Sequence, residues 1–187
     1  MAGPSGAGKT SIADLLIAKG RFSLVRSATT RPPRADGREG EYIYLSEEEF
    51  RARLSRGEFV EHTEFSGNMY GTPLSEIVKI ASDGKTPILI LDMNGISSIQ
   101  KSPDVDAFSV YIYADISELD RRLFDRGLNA NEPAAVTEKR KRKNREDLEA
   151  LSEKSALFDL VIENKYGEME SVAEQIKSAF FQDFTGA

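Results

Sequence analysis

Cysteine is absent from the chain, which excludes disulfides and thiolate metal sites. Histidine occurs once, leaving little basis for a histidine-centred triad or metal cluster. No apolar run approaches the roughly 20 residues a membrane helix needs. No signal peptide precedes the first motif, so the expected location is the cytoplasm. Positive charge is also short: 25 Lys and Arg against 31 Asp and Glu give a net charge of −6. A general nucleic-acid coat needs the opposite balance, so neither nucleic acid nor a membrane is an expected partner. Anionic ligands must be held by local basic clusters, and two stand out: "TTRPPRADGR" and "EKRKRKNRED". The 187 residues suit one core domain with room for small insertions.

The strongest motif lies at the very start. Gly3 to Thr10 spell G-x-x-x-x-G-K-T, and a helical pattern follows from Lys9 to Gly20. Polyphosphate needs converging donors with no side chains in the way. Gly3, Gly6 and Gly8 let backbone N–H groups turn inward, with Ser5, Ala7 and Ser11 completing the loop and helix start. Lys9 supplies a point charge for the β/γ oxygens, and Thr10 offers a hydroxyl to Mg²⁺. The helix adds its positive end. The expected ligand is ATP with Mg²⁺; the plain alternative is a glycine-rich turn ahead of a helix.

One element is missing. Such a loop normally follows a buried strand, yet only Met1 and Ala2 precede Gly3. The reading that accounts for this best is a natural start upstream of Met1. A sheet short of its first core strand should leave the loop without a fixed floor.

The remaining pattern alternates strands with helices, as in an α/β parallel sheet covered on both faces. "FSLVRSATT", "EYIYL" and "EFVEHTEF" read as strands, and "SGNMYGTP" as a turn. Pro87 to Leu91 is apolar without alternation and predicts a strand buried on both faces. "DAFSVYIYA" and "FDLVIEN" are similar. "SEEEFRARLSRG" predicts a helix capped by Ser46. "PLSEIVKIASDG", "DISELDRRLFDRG", a charged segment from about Pro133 to Leu151, and a closing segment at 168–184 are also helical. The rhythm breaks between about 30 and 80, which predicts a small mixed insert.

"GPSGAGK", "SATTRPPR", "GEFVEHTEFSGNMYGTP" and "LDMNG" occur here in the order found in guanylate kinases, and the chain resembles that family from Gly3 to about Phe181. The resemblance implies conversion of GMP and ATP to GDP and ADP. It also implies a core at 1–29 and 81–187, a GMP-binding insert at 30–80, and a helical lid at roughly 126–150.

Several residues make chemical sense beside the resemblance. Arg31 and Arg34 sit three apart on a loop stiffened by Pro32 and Pro33, and guanidinium forks suit phosphate oxygens. The resemblance assigns them to the GMP phosphate, with Tyr42 and Tyr70 adding hydroxyls and Ser27 and Thr72 touching the base. Guanine presents adjacent N1–H and N2–H₂ donors, which one carboxylate can accept together. The family places a glutamate there, and Glu61 is its match. His62, its neighbour, points to the opposite face.

Asp92 stands at the end of the apolar strand, where a carboxylate can steer Mg²⁺ water or hold substrate sugar and amines. The family usually carries a second acid two residues earlier; this chain has Ile90. In the basic helix, Arg140 and Arg145, with Arg126 at the base of the lid, are the matches for arginines that close over the phosphoryl group in transit.

The expected mechanism is direct in-line transfer from ATP to GMP. Lys9, Arg31, Arg126, Arg140, Arg145 and Asp92 form the catalytic set. Two rivals differ in class or substrate. One is a weak or inactive module that binds GMP or phosphopeptides; the other is a kinase for another small phosphorylated acceptor.

Overall fold

The computed structural model describes all residues except 34–39, 41, 66, 130–132 and 185–187. Its elements run α1 (Lys9–Ala18), β1 (Phe22–Leu24), β2 (Ser27–Thr29), β3 (Tyr42–Tyr44), α2 (Glu47–Ser55), β4 (Phe59–Phe65), β5 (Asn68–Pro73), α3 (Leu74–Ser82) and β6 (Thr86–Ile88). They continue with α4 (Met93–Lys101), β7 (Val110–Tyr113), α5 (Ile116–Asn129), α6 (Ala134–Lys154), β8 (Leu160–Glu163) and α7 (Met169–Ala179). Backbone contacts divide the chain into two compact units, Met1–Leu16 with Phe108–Ala187, and Ile17–Ala107.

In the first unit, β7 and β8 pair in parallel from Val110↔Leu160 to Tyr113↔Glu163. Ala2 adds a single parallel bridge to Tyr111, donating to Val110 O and accepting from Ile112 N at 2.8 and 2.9 Å. One residue therefore occupies the place expected of the strand before the phosphate loop. Ile12 and Leu16 of α1, Tyr111 and Ile112 of β7, Leu119 and Leu123 of α5, and Val172 and Ile176 of α7 are buried. Their four-residue spacing on the helices is the amphipathic pattern that predicts those helices.

In the second unit, β1 and β6 form a parallel pair, and a separate sheet has the order β3-β2-β5-β4. Ser46 caps α2 through a capping box with Glu49, as the sequence predicts. One face of the four-stranded sheet is apolar: Phe50 of α2 stacks on Phe59 at 4.6 Å between centroids, both rings standing over Gly71, where an added Cβ would lie 3.1 Å from each.

Three local expectations are corrected. Pro87 to Leu91 is not a doubly buried strand. β6 ends at Ile88, and of that run only Ile88 is buried. Its described strand neighbour is β1 alone, and Leu89 to Leu91 continue past the ladder as half-buried chain outside the strand. "SGNMYGTP" is mostly strand β5, because pairing with β4 and β2 outweighs the local turn chemistry of its glycines. Helix α4 has no counterpart among the expected elements. Asp92 caps it, and Ile96 and Ile99 form its buried stripe, but Gly95, Ser97 and Ser98 dilute the helical signal.

Candidate active site

The loop from Gly3 to Gly8 accounts for all of its backbone carbonyls. Lys9 Nζ donates to Gly3 O and Pro4 O at 2.8 and 2.9 Å. Asn144 Nδ2 on α6 donates to Ser5 O at 2.8 Å, and Arg122 on α5 donates to Gly6 O at 3.2 Å. Asn164, just past β8, donates to Ala7 O at 2.8 Å, and the Gly8 carbonyl accepts from Ile12 N in the first turn of α1. Three of these carbonyls, those of Ser5, Gly6 and Ala7, are held by side chains from outside the loop. This corrects the expectation of a loop without a floor: side chains from α5, α6 and the end of β8 supply it. Gly8, at φ 92°, admits no side chain, since a Cβ would stand 2.5 Å from Asn164 Nδ2.

Burial lowers the Lys9 pKa to about 8; nearby Asp147 opposes that shift and Arg126 adds to it. On α6, Thr137, Arg140, Asn144 and Asp147 recur at helical spacing on one face. Thr137 and Asn144 are buried, which sets the register of this helix and puts Arg140 on the loop-facing side. Arg145 lies on the flank, where it pairs with Asp120 at 2.7 Å.

Beside α1 is an open cavity of about 740 Å³ lined by Ser11, Asp14, Arg121, Arg122, Asn164 and Tyr166 among others. The Arg121 guanidinium lies over the Tyr166 ring at 5.2 Å, and Asn164 Oδ1 is buried with no partner among the described residues. Sequence reasoning missed Arg122, Asn144 and Asn164. They are single residues without a local motif, brought to the loop from far along the chain.

The second unit collects the other predicted residues. Thr29 faces Tyr70, Glu61 faces Thr72, and Ser27 faces Tyr42 in the strand registers. Continuing the β2–β5 register sets Ser27 beside Thr72, so Tyr42, Ser27, Thr72 and Glu61 form one row across four strands, with Tyr70 in the next row on the same face. A register shift between Phe59 and Glu61 makes this possible. The bulge turns Phe59 to the apolar face and Glu61 to the polar one.

Glu61 is 7% exposed and accepts from Thr72 Oγ1 at 2.6 Å. Burial raises its pKa; the Thr72 hydrogen bond works against this and Asp92 works with it. Asp92 accepts from Gly95 N at 2.8 Å as the cap of α4, and Gly95 lies close enough to both acids that a Cβ would be 3.5 Å from Asp92 Oδ1 and Glu61 Oε2. Ile90 is half-buried just beyond β6. Arg31 lies over the Tyr42 ring at 5.3 Å, with Nη1 buried and unpartnered among the described residues. Arg34 lies outside the described residues.

The guanylate kinase family model matches residues 1–183. A guanylate kinase of Mycoplasmopsis pulmonis is 35% identical over 194 aligned positions, covering 100% of this chain and 94% of that protein. One from Sus scrofa is 32% identical, covering 96% and 93%. The match to the guanylate kinase of Clostridium perfringens is 37% identical but spans only 60% of that protein's length. Among solved structures, guanylate kinase from Anaplasma phagocytophilum superposes with a TM-score of 0.70 at 23% identity, covering 97% of this chain and 82% of that one. That likeness speaks for the α/β fold. The family model and the full-length relatives together establish that the chain belongs to the guanylate kinase family.

Proposed function

We propose that the chain transfers the γ-phosphoryl group of ATP to GMP, in line and without a covalent enzyme intermediate. The observation that carries this reading is Glu61: a buried carboxylate on the polar face of a sheet, positioned to accept from the paired N–H donors of guanine. The intact phosphate loop and family membership support ATP as donor.

Lys9 leaves the Gly3 and Pro4 carbonyls to contact the β/γ oxygens. Loop N–H groups, with Ser11 at the helix start, hold the remaining phosphates. The cavity beside α1 accepts the ATP base, with Arg121 and Tyr166 at its rim. Arg31, whose Nη1 awaits an acceptor, binds the GMP phosphate with Tyr42 and Tyr70. Ser27 and Thr72 flank the base, and Asp92 holds its amine or the sugar. Arg126 and Arg140 stabilise charge in transit; Arg145 joins them by exchanging Asp120 for phosphate. The acceptor is already an anion, so no strong base is required.

Mg²⁺ fits the donor set. Thr10 offers a hard hydroxyl oxygen at the start of α1, and Mg²⁺ commonly takes few ligands from the protein where substrate phosphates supply the others. When bound, Mg²⁺ neutralises charge on the β/γ oxygens.

In functional terms residues 30–80 are the acceptor insert, 126–150 the lid, and 1–29 with 81–187 the core. No described helix is long and apolar enough to cross a membrane, and a cytoplasmic location suits the proposed substrates. The test is ADP release in a coupled assay with GMP, AMP or neither. GMP-dependent release is expected. Release that ignores the acceptor, or equal rates with AMP, overturns the reading.

A further inference from the structure

No expected role covers Asn144. It stands between Lys143 and Arg145 on α6, yet it is 1% exposed. Its Oδ1 accepts from Ser5 N–H at 2.8 Å and its Nδ2 donates to Ser5 O at 2.8 Å. The carboxamide therefore pairs with both polar groups of one residue, as a neighbouring strand would, across 139 positions of sequence.

Ser5 is where the loop most needs holding. Pro4 before it has no N–H, and Gly6 after it, at φ 88°, is conformationally permissive. The Ser5–Gly6 peptide could rotate and turn its carbonyl toward a bound anion. In a trans peptide the C=O and the following N–H point opposite ways, and no cis bond is present among the described residues. Drawing Ser5 O toward α6 thus directs Gly6 N–H the other way, into the cradle. Asn164 does the same for Gly8 N–H by holding Ala7 O. Asn144 also has Arg140 one turn before it and Asp147 one turn after it on the same face. Asp147 is the charge that favours the protonated form of Lys9.

We propose that Asn144 is a positioning residue for the phosphoryl donor: its two bonds to Ser5 orient the Gly6 N–H toward the phosphates and tie the basic helix to the loop. This rests on reading the loop as the ATP site.

The test compares wild type, Asn144→Ala and Asn144→Asp by melting temperature and by KM for ATP and GMP. The alanine variant should raise KM for ATP about tenfold, two lost hydrogen bonds' worth, with KM for GMP within about twofold. The aspartate variant should be worse, because its second oxygen repels the Ser5 carbonyl. A lowered melting temperature with unchanged KM for ATP, equal shifts for both substrates, or aspartate better than alanine overturns the inference.

A second measurement needs no variant. On titration of the wild type with ADP, the Gly6 amide resonance should move and that of Ser5, held by Asn144, should stay. Equal movement of both overturns the proposal. A wild type that binds no ATP or ADP sinks the functional reading as well; nucleotide binding that leaves Gly6 unmoved sinks this inference alone.

Discussion

Thr72 Oγ1 donates to Glu61 Oε1 at 2.6 Å across the β4–β5 ladder, and both residues are buried. The pairing orients one carboxylate oxygen. It exists only because the bulge between Phe59 and Glu61 reverses the face that Glu61 presents.

Replacing Glu61 by glutamine tests base recognition. The carboxamide keeps the Thr72 bond through its carbonyl oxygen but turns the second acceptor into a donor, which meets a guanine N–H head on. KM for GMP should rise on the order of a hundredfold, with KM for ATP nearly unchanged. Steady-state kinetics with each substrate varied in turn checks the split.

Acid should weaken GMP binding earlier than an ordinary carboxylate would allow. Burial raises the folded-state pKa of Glu61 above its unfolded value, so the proton binds first in the folded protein as pH falls. The protonated form accepts one N–H instead of two. The acid limb of kcat/KM for GMP should therefore lie above the usual glutamate range and vanish in E61Q. On stability the sign is opposite: the folded state holds more protons between the two pKa values, so the contribution of Glu61 to stability declines as pH rises through that window.

Arg31 separates binding from folding. Its buried Nη1 lacks a partner among the described residues, so Arg31→Met removes that donor and, inside the protein, the contact with the Tyr42 ring. KM for GMP should rise on the order of 10- to 100-fold, as for loss of charge-assisted bonds, with the melting temperature within a few degrees of wild type. Thermal melts with and without GMP read both quantities.

Lys9→Met should lower turnover on the order of a thousandfold while sparing the fold. Burial holds the Lys9 pKa at about 8 against an unperturbed 10.5. Below pH 8 both folded and unfolded states carry the proton and the burial cost is complete. Between 8 and 10.5 the unfolded state binds more protons, so the wild type gains stability as pH rises. Relative to K9M, wild-type stability should therefore improve from pH 8 to 10. Denaturant titrations of the two proteins at matched pH values measure the difference, and a constant gap would contradict a depressed Lys9.

The phosphate loop, the α1 helix, the capped α2 helix and the alternating α/β order were legible in the residues alone, because each depends on neighbours a few positions apart: glycine spacing, a cap, a helical stripe. Glu61, Arg31 and Tyr42 were legible as candidates through their motifs. Three matters needed the folded chain. The face that Glu61 presents depends on a bulge defined by pairing with β5. The strand character of 68–73 depends on two partners remote in sequence. The ordering of the phosphate loop depends on Asn144, Arg122 and Asn164, which reach Ser5, Gly6 and Ala7 from more than a hundred residues away. Local composition encodes propensity. Which carbonyl meets which amide across such a distance is settled only when backbone groups leaving water must find partners inside the protein.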